Sequence, residues 1–342
     1  MSETKSKQIV LASRPTGKPT AENFGLEEVA MPALPKGGLL LRALYLSIDP
    51  YMRGRMDDAK SYAKPVGVGE VMSGETVNEV MASDRAGYAK GDIVLAHTGW
   101  RTHAAWDGAP RKLDPKAAPI TTGLGVLGMP GFTAYSGLYV LGKPKAGETV
   151  AVAAASGPVG ALVGQLAKMV GARAVGIAGG AETCRYVTQE LGFDAAIDHR
   201  EGDFAEKLAA ACPKGIDVYF ENVGGAVWQA VLPLLNQFAR VPVCGLIAQY
   251  SASGAPAGPN LLPATMRAIL TKSLTLRGFI NYEFAAEHFA DFLRTVSAGL
   301  ADGRIRYRED ITAGLENAPA VLMGVLEGRN FGKALVRIAP QA

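Results

Sequence analysis

Apolar positions along the chain fall into two regimes. Up to about residue 127 they come in short runs separated by turn residues. Residues 39–46, with Leu39, Leu40, Leu41, Leu44 and Leu46, read as a buried strand, and Gly91-Asp92 turns the chain into a short strand at 93–96. This spacing predicts an irregular β domain. The character changes near Gly128-Met129-Pro130-Gly131, and from Glu148 onward apolar strands alternate with helical periodicity. Strands are predicted at 149–155, 173–178, 195–198, 216–220, 240–244 and 274–279. Helices are predicted at 158–170, 182–191, 204–211, 228–235 and 262–270. Six short, continuously apolar strands alternating with helices predict a doubly wound parallel sheet, covered on both faces. A further amphipathic helix carries Phe284, His288, Phe289, Phe292, Leu293 and Val296. After Gly299 the chain returns to loops and strands, ending in a strand at 333–338. The expected organisation is α/β: one domain from 1–127 and 303–342, and a second, inserted domain at 128–302.

The length of 342 residues fits two domains, each able to bury a core. A net charge of +3, spread evenly, excludes nucleic-acid and anionic-membrane binding as the main expectation. Residues 150–171 are apolar enough to mimic a membrane span. However, Gly157-Pro158 in their middle breaks them into a strand and a helix. The first residues are polar and lack a secretory apolar core, so a cytoplasmic location and no membrane partner are expected. Cys184, Cys212 and Cys244 are scattered and odd in number, which supports neither a disulfide framework nor a structural zinc site.

The strongest local chemistry lies at 153–164, between the first predicted strand of the parallel sheet and its helix. Gly157 would let backbone approach a pyrophosphate, Gly160 would let helix and strand pack closely, and the helix N-terminus offers free N–H groups to phosphate oxygens. Ala155 stands where the dinucleotide fingerprint has its first glycine, and a ligand-free Gly-rich turn is the competing reading. The second strand ends Ile177-Ala178-Gly179-Gly180, without the acidic residue that would accept from a ribose 2′-hydroxyl. Nothing there repels a 2′-phosphate, and Arg185 and Arg200 lie nearby, so NADP is favoured over NAD; either arginine alone also reads as a solvated surface charge. His97 and His103 read as loop residues at the surface, and no Cys/His set for a polarising zinc can be assembled. No metal is expected.

Eight segments, in order along almost the whole chain, carry a family resemblance. They are 46–56 (Ser47-Ile48-Asp49-Pro50-Tyr51-Met52-Arg53), 126–135 (Gly128-Met129-Pro130-Gly131-Phe132-Thr133) and 153–164. They continue with 178–185, 220–225 (Glu221-Asn222-Val223-Gly224), 243–250 (Cys244-Gly245 to Tyr250), 277–280 (Arg277-Gly278-Phe279-Ile280) and 328–333 (Arg329-Asn330-Phe331). The chain resembles the zinc-independent branch of the medium-chain dehydrogenase/reductase superfamily. Within it, the chain is similar to prostaglandin reductases, leukotriene hydroxydehydrogenases, plant double-bond reductases and, above all, bacterial NADPH-dependent curcumin reductases.

The resemblance implies a GroES-like β domain with an inserted Rossmann domain. It implies metal-free hydride transfer from NADPH to the β-carbon of an α,β-unsaturated ketone or aldehyde, followed by protonation at the α-carbon. It also implies a homodimer that extends its sheets. By the same resemblance, Ser156, Gly157, Pro158, Val159 and Gly160 hold the pyrophosphate, and Gly179, Thr183, Arg185 and His199 surround the 2′-phosphate. Asn222, Cys244, Gly245, Tyr250, Phe279 and Ile280 border the nicotinamide riboside, with Thr133 near it and Asn330 reaching the cofactor from the C-terminal segment. Tyr250 and Tyr51 are the expected catalytic hydroxyls, and Tyr51 and Arg53 the expected substrate-pocket residues, with Trp100 and Trp106 adding aromatic surface. Tyr51 also reads as a core aromatic, Tyr250 as a surface tyrosine, and Thr133 as a helix cap. The family usually carries Lys where this chain has Thr183. Its loss costs a charge-assisted contact of about 1.5–3 kcal/mol, which Arg185 is placed to replace. His199 stands where many eukaryotic members have tyrosine.

Two other functions fit the same cofactor signals. One is reduction of a quinone or saturated carbonyl. The other is non-catalytic NADP binding in a structural or regulatory role, for which the substrate-side tyrosines would be superfluous.

Overall fold

Strand pairing sorts the described residues into three sheets, two in one unit and one in another. The computed structural model describes residues 5–252 and 259–340. One unit comprises Met1–Gly125 with Glu309–Ala342; the other comprises Val126–Arg308.

In the first unit β1 (Lys5–Leu11) and β2 (Phe24–Ala30) form an antiparallel pair. The chain continues through β3 (Leu39–Ser47), α1 (Tyr51–Arg55), β4 (Thr76–Ser83), β5 (Ile93–Ala96), β6 (His103–Trp106) and β7 (Arg111–Leu113). Two late strands complete the unit's seven-stranded sheet. Its core gathers Leu46, Ile48, Met52, Met56 and Trp100 with apolar residues of the C-terminal segment.

The second unit opens with α2 (Met129–Tyr135) and then alternates. The order is β8 (Thr149–Ala153), α3 (Pro158–Met169), β9 (Arg173–Ala178), α4 (Ala181–Gln189), β10 (Ala195–Asp198), α5 (Phe204–Ala211), β11 (Ile216–Phe220), α6 (Gly225–Val231), β12 (Leu235–Val243), α7 (Leu262–Lys272), β13 (Thr275–Gly278) and α8 (Ala285–Ala301). The sheet is parallel, in the order β10-β9-β8-β11-β12-β13. This is the expected doubly wound α/β sheet. β8 is buried along its whole length, as a central strand covered on both faces must be. The order reverses between β8 and β11, so the crevice at their carboxyl ends is the topological switch point.

β14 (Glu309–Ala313), α9 (Ala318–Leu326) and β15 (Lys333–Arg337) complete the first unit, whose larger sheet runs β14-β15-β3-β4-β5-β7, with β6 paired to β3.

Most predicted elements lie within one to three residues of their places. One pair differs more: the helix expected at 228–235 is α6, ending at Val231, and the strand expected from 240 begins at Leu235. Pro233 lacks the N–H that would continue a helix, so the chain leaves α6 a turn early.

Candidate functional site

The switch point is built from the backbone. After β8, Ala154 adopts a left-handed conformation (φ 54°), rare for a residue with a β-carbon. The Gly157 N–H donates to the Ala154 carbonyl at 3.0 Å, closing the turn. Gly160 sits against the same carbonyl: a β-carbon there would lie 2.8 Å from the Ala154 carbonyl carbon and collide with its oxygen. Gly157 is less confined, its β-carbon position being 3.3 Å from that oxygen. Pro158 occupies the first turn of α3, where its missing N–H costs nothing. Ser156, Gly157, Pro158 and Val159 are all half-buried around the α3 N-terminus. This cradle, with no side chain filling it, fits a pyrophosphate.

At the end of β9, Gly180 has φ 100° and Gly179 presents a bare face. The Arg200 Nε and His199 Nε2 lie 2.9 Å and 3.0 Å from the point where a Gly179 β-carbon would stand. The Thr183 hydroxyl donates back to the carbonyls of Gly179 and Gly180, at 2.8 and 2.7 Å. Arg185 is exposed on α4. The side chain that covers the turn is therefore Arg200, which the sequence offered only as a second choice beside Arg185. Its backbone N–H donates to Asp198 at 2.9 Å, fixing the turn that swings it over Gly179.

On the other side of the crevice, the Asn222 amide donates to the Ala153 carbonyl at 2.8 Å, tying the carboxyl ends of β11 and β8 together. Glu221 is buried. Its carboxylate accepts from the Tyr219 hydroxyl (3.0 Å) and from the N–H groups of Val223 and Gly224 (2.7 and 2.9 Å). Burial raises its pKa, and these donors oppose the rise. The N–H groups of Cys244 and Gly245 both reach the Glu221 carbonyl. Burial pushes the Cys244 thiol up to about 12, leaving it neutral and unreactive. The Tyr250 hydroxyl folds over Gly245, 2.8 Å from its β-carbon position, and accepts from the Leu246 N–H at 3.3 Å. Asn222, Gly245 and Tyr250 thus converge.

Thr133 belongs to the interior of α2, so it does not cap that helix. Its hydroxyl donates to the Met129 carbonyl (2.8 Å) and accepts from the Asn281 amide (3.1 Å). Asn281 follows Ile280 directly, and sequence reasoning passed over it although it extends a quoted segment by one residue. The Phe279 ring packs edge-on to Phe220 (centroids 6.2 Å apart) and fills the space over Gly137.

In the first unit, Tyr51 opens α1. Burial, then Asp49, Glu75 and Tyr62, hold its hydroxyl well above the ordinary phenol value, so it remains a donor. Arg53 is 3% exposed, and its guanidinium is spent on the Gly17 carbonyl and on Asp57 (2.6 Å), the work of a strut rather than of a pocket wall. Trp100 is fully buried and stacks on Phe24, so it offers no aromatic cleft surface; Trp106 is half-buried in β6. His103, expected at the surface, is buried in β6, while His97 is exposed. The Asn330 amide donates to the Gly332 carbonyl at 2.8 Å. Among the described residues no group of three or more His, Cys, Asp or Glu is placed to hold a metal.

A family described as the N-terminal domain of oxidoreductase matches residues 7–112, and one described as zinc-binding dehydrogenase matches residues 158–298. The chain therefore belongs to the medium-chain dehydrogenase/reductase class, in its zinc-independent branch. Within that branch it is 52% identical to the NADPH-dependent curcumin reductase of Escherichia coli, across 98% of this chain and 97% of that one. It is 39% identical to prostaglandin reductase 1 of Bos taurus, across 97% and 99%. Among solved structures, CurA of Vibrio vulnificus in complex with NADPH superposes with a TM-score of 0.95 at 52% identity, covering 98% of this chain and 99% of that one.

Proposed function

We propose that this chain is an NADPH-dependent reductase of the C=C bond in α,β-unsaturated ketones and aldehydes. The observation that carries the reading is full-length similarity to a curcumin reductase and to prostaglandin reductases, joined to a switch point whose backbone fits a dinucleotide.

NADPH supplies a hydride to the β-carbon of the enone. The chain's own residues hold and prepare. The α3 N-terminus and the turn from Ala154 to Gly157 receive the pyrophosphate. Arg200 over Gly179 receives the 2′-phosphate, with the Thr183 hydroxyl and His199 beside it and Arg185 further out. Asn222, Tyr250, Phe279 and Ile280 would border the nicotinamide riboside. As the β-carbon is reduced, negative charge moves to the carbonyl oxygen. An enolate is a modest anion that a neutral phenol can stabilise, so no metal is required. Tyr250 in the second unit and Tyr51 in the first are the phenols that the family resemblance offers for this, and the raised pKa of Tyr51 keeps its proton on at neutral pH.

Product analysis with a substrate bearing both C=C and C=O tests the reading. A saturated ketone is the expected product; an allylic alcohol overturns it in favour of carbonyl reduction.

The functional unit we propose is a cytoplasmic homodimer. No helix among the described residues is long and apolar enough to cross a membrane. β13 is an edge strand with largely exposed residues. Beside it in sequence, α7 exposes Leu262, Met266 and Leu270 (64%, 57% and 81%) at helical spacing. An unpaired parallel edge flanked by an apolar stripe suits a second copy of itself. Sedimentation equilibrium at twice the monomer mass is the expected result.

A further inference from the structure

The turn that follows β11 is held by its own first side chain. Glu221 is 3% exposed, and one of its carboxylate oxygens takes three donors: the Tyr219 hydroxyl and the N–H groups of Val223 and Gly224. Successive N–H groups that converge in this way form a nest, a backbone concavity suited to an anion. Here the chain's own carboxylate fills it. The turn closes at Gly224, whose φ of 76° would strain any residue with a β-carbon.

The same turn is the template for the loop that leaves β12. Its three carbonyls accept in order. Glu221 takes the N–H groups of Cys244 and Gly245 (2.9 and 3.2 Å), Asn222 takes that of Ile247 (3.2 Å), and Val223 takes that of Ala248 (3.1 Å). Leu246 packs on the bare face of Gly224, its Cδ2 3.2 Å from the place of a β-carbon. The Leu246 N–H donates to the Tyr250 hydroxyl at 3.3 Å, and the Tyr250 N–H to the Ile247 carbonyl, also at 3.3 Å. The loop itself contributes one short 3-10 turn, Ile247–Gln249, so the carbonyls of residues 221–223 carry its shape. Carboxylate, turn, loop and phenol all belong to the second unit.

We propose that Glu221 is a positioning residue for the reduction: its ionised carboxylate holds the turn at 222–224, and through that turn sets where the Tyr250 hydroxyl stands. This rests on the reading of the chain as an enone reductase that uses Tyr250. Glu221 passes no proton and supports no charge on the substrate. Its work is done before the substrate arrives, as a fixed anion on which the loop is built.

The chemistry of the nest asks for a carboxylate. Burial raises the Glu221 pKa, and the backbone groups of Val223, Gly224 and Asn222, with the Tyr219 hydroxyl, oppose the rise by favouring the ionised form. Hydrogen bonds to an ionised acceptor are roughly twice as strong as those to a neutral one. A glutamine at 221 would keep one acceptor oxygen but bring an NH2 donor into a space lined by donors. The turn would then loosen, and the loop resting on its carbonyls would shift. A catalytic group displaced by about 1 Å can lose about 10²-fold in rate. The α3 N-terminus and the Gly179 turn use none of these hydrogen bonds, so the phosphate end of the nucleotide site keeps its shape.

The experiment is steady-state enone reduction by NADPH in the wild type, E221Q, Y250F and the double variant E221Q/Y250F. Affinity for 2′,5′-ADP, a probe of the adenosine half of the nucleotide site, and the thermal midpoint are measured alongside. E221Q is expected to lose about 10- to 100-fold in kcat, with 2′,5′-ADP affinity within about threefold of wild type. The double variant is expected within about threefold of Y250F, because the placement of a hydroxyl no longer matters once the hydroxyl is gone. An E221Q kcat equal to wild type overturns the proposal. So do losses that multiply in the double variant, and so does a fall in 2′,5′-ADP affinity as large as the fall in kcat; each of these leaves the enone reductase standing. A Y250F kcat equal to wild type removes Tyr250 from the reaction and the proposal with it. Absence of enone turnover in the wild type overturns the reductase reading itself. If E221Q does not fold, G224A decides, since it presses on Leu246 from the same turn: no loss of kcat, or a loss that multiplies with that of Y250F, overturns the proposal.

Discussion

Arg200 lies across the backbone of Gly179, its Nε 2.9 Å from the place a β-carbon would take. Any side chain at 179 would displace it, and Thr183, where relatives of the family carry lysine, turns its hydroxyl back onto the same turn. The positive charge at this strand end thus comes from β10's side of the crevice rather than from α4. R200A is expected to weaken NADPH binding by about 10- to 100-fold, the worth of a charge-assisted phosphate contact, and NADH binding by less than about threefold. Titration of reduced-nicotinamide fluorescence measures both. A larger loss in R185A than in R200A would move the role to α4.

The two glycines of the nucleotide turn differ in confinement, so their alanine variants should differ as well. G160A drives a methyl into the Ala154 carbonyl, whereas G157A meets nothing closer than 3.3 Å. G160A is expected to cost about 1–3 kcal/mol of stability and most of the NADPH affinity, and G157A much less of either. Urea unfolding and cofactor titration separate the two variants.

Lys333 and Asp49 form a nearly inaccessible ion pair. K333A leaves a buried carboxylate without its cation, and a loss of about 3–5 kcal/mol is expected. Adding D49N to K333A should recover part of that loss, because the stranded charge is gone. A double variant no more stable than K333A would contradict this account.

Tyr250 places its hydroxyl beside Gly245 and Asn222. If it supports the enolate, Y250F should lower kcat by about 10²-fold, as for loss of one oxyanion donor, with NADPH affinity within about threefold of wild type. Loss of NADPH affinity instead would assign the hydroxyl to the ribose.

The parallel sheet was legible because β9, β10 and β11 are short, largely apolar and alternate with segments of helical periodicity. Their limits follow from composition over a few residues. β1 was not legible: its first residues, Lys5, Lys7 and Gln8 among them, are polar, and the strand exists because β2, a separate segment, pairs with it. Arg53 illustrates the same limit within the site. Its neighbours in sequence point to the pocket, but the Gly17 carbonyl that captures it comes from a distant loop. Glu221 and Ala154 lie inside quoted segments, but nothing in those segments marked the part each plays. One is a buried bracket for backbone N–H groups and the other a strained turn position, and both depend on where three strand ends meet. Arg200 was visible as a residue, but choosing it over Arg185 required the backbone path around Gly179 and Gly180.

The most direct measurement is the initial rate of absorbance loss at the reduced-nicotinamide band with a conjugated enone, using NADPH and NADH in parallel. The expected result is enone-dependent oxidation, unaffected by a chelator, with NADPH preferred by about tenfold or more through the 2′-phosphate contact. A folded protein that binds NADPH yet oxidises it with no enone in a varied panel would contradict the assignment and leave a nucleotide-binding protein without this chemistry.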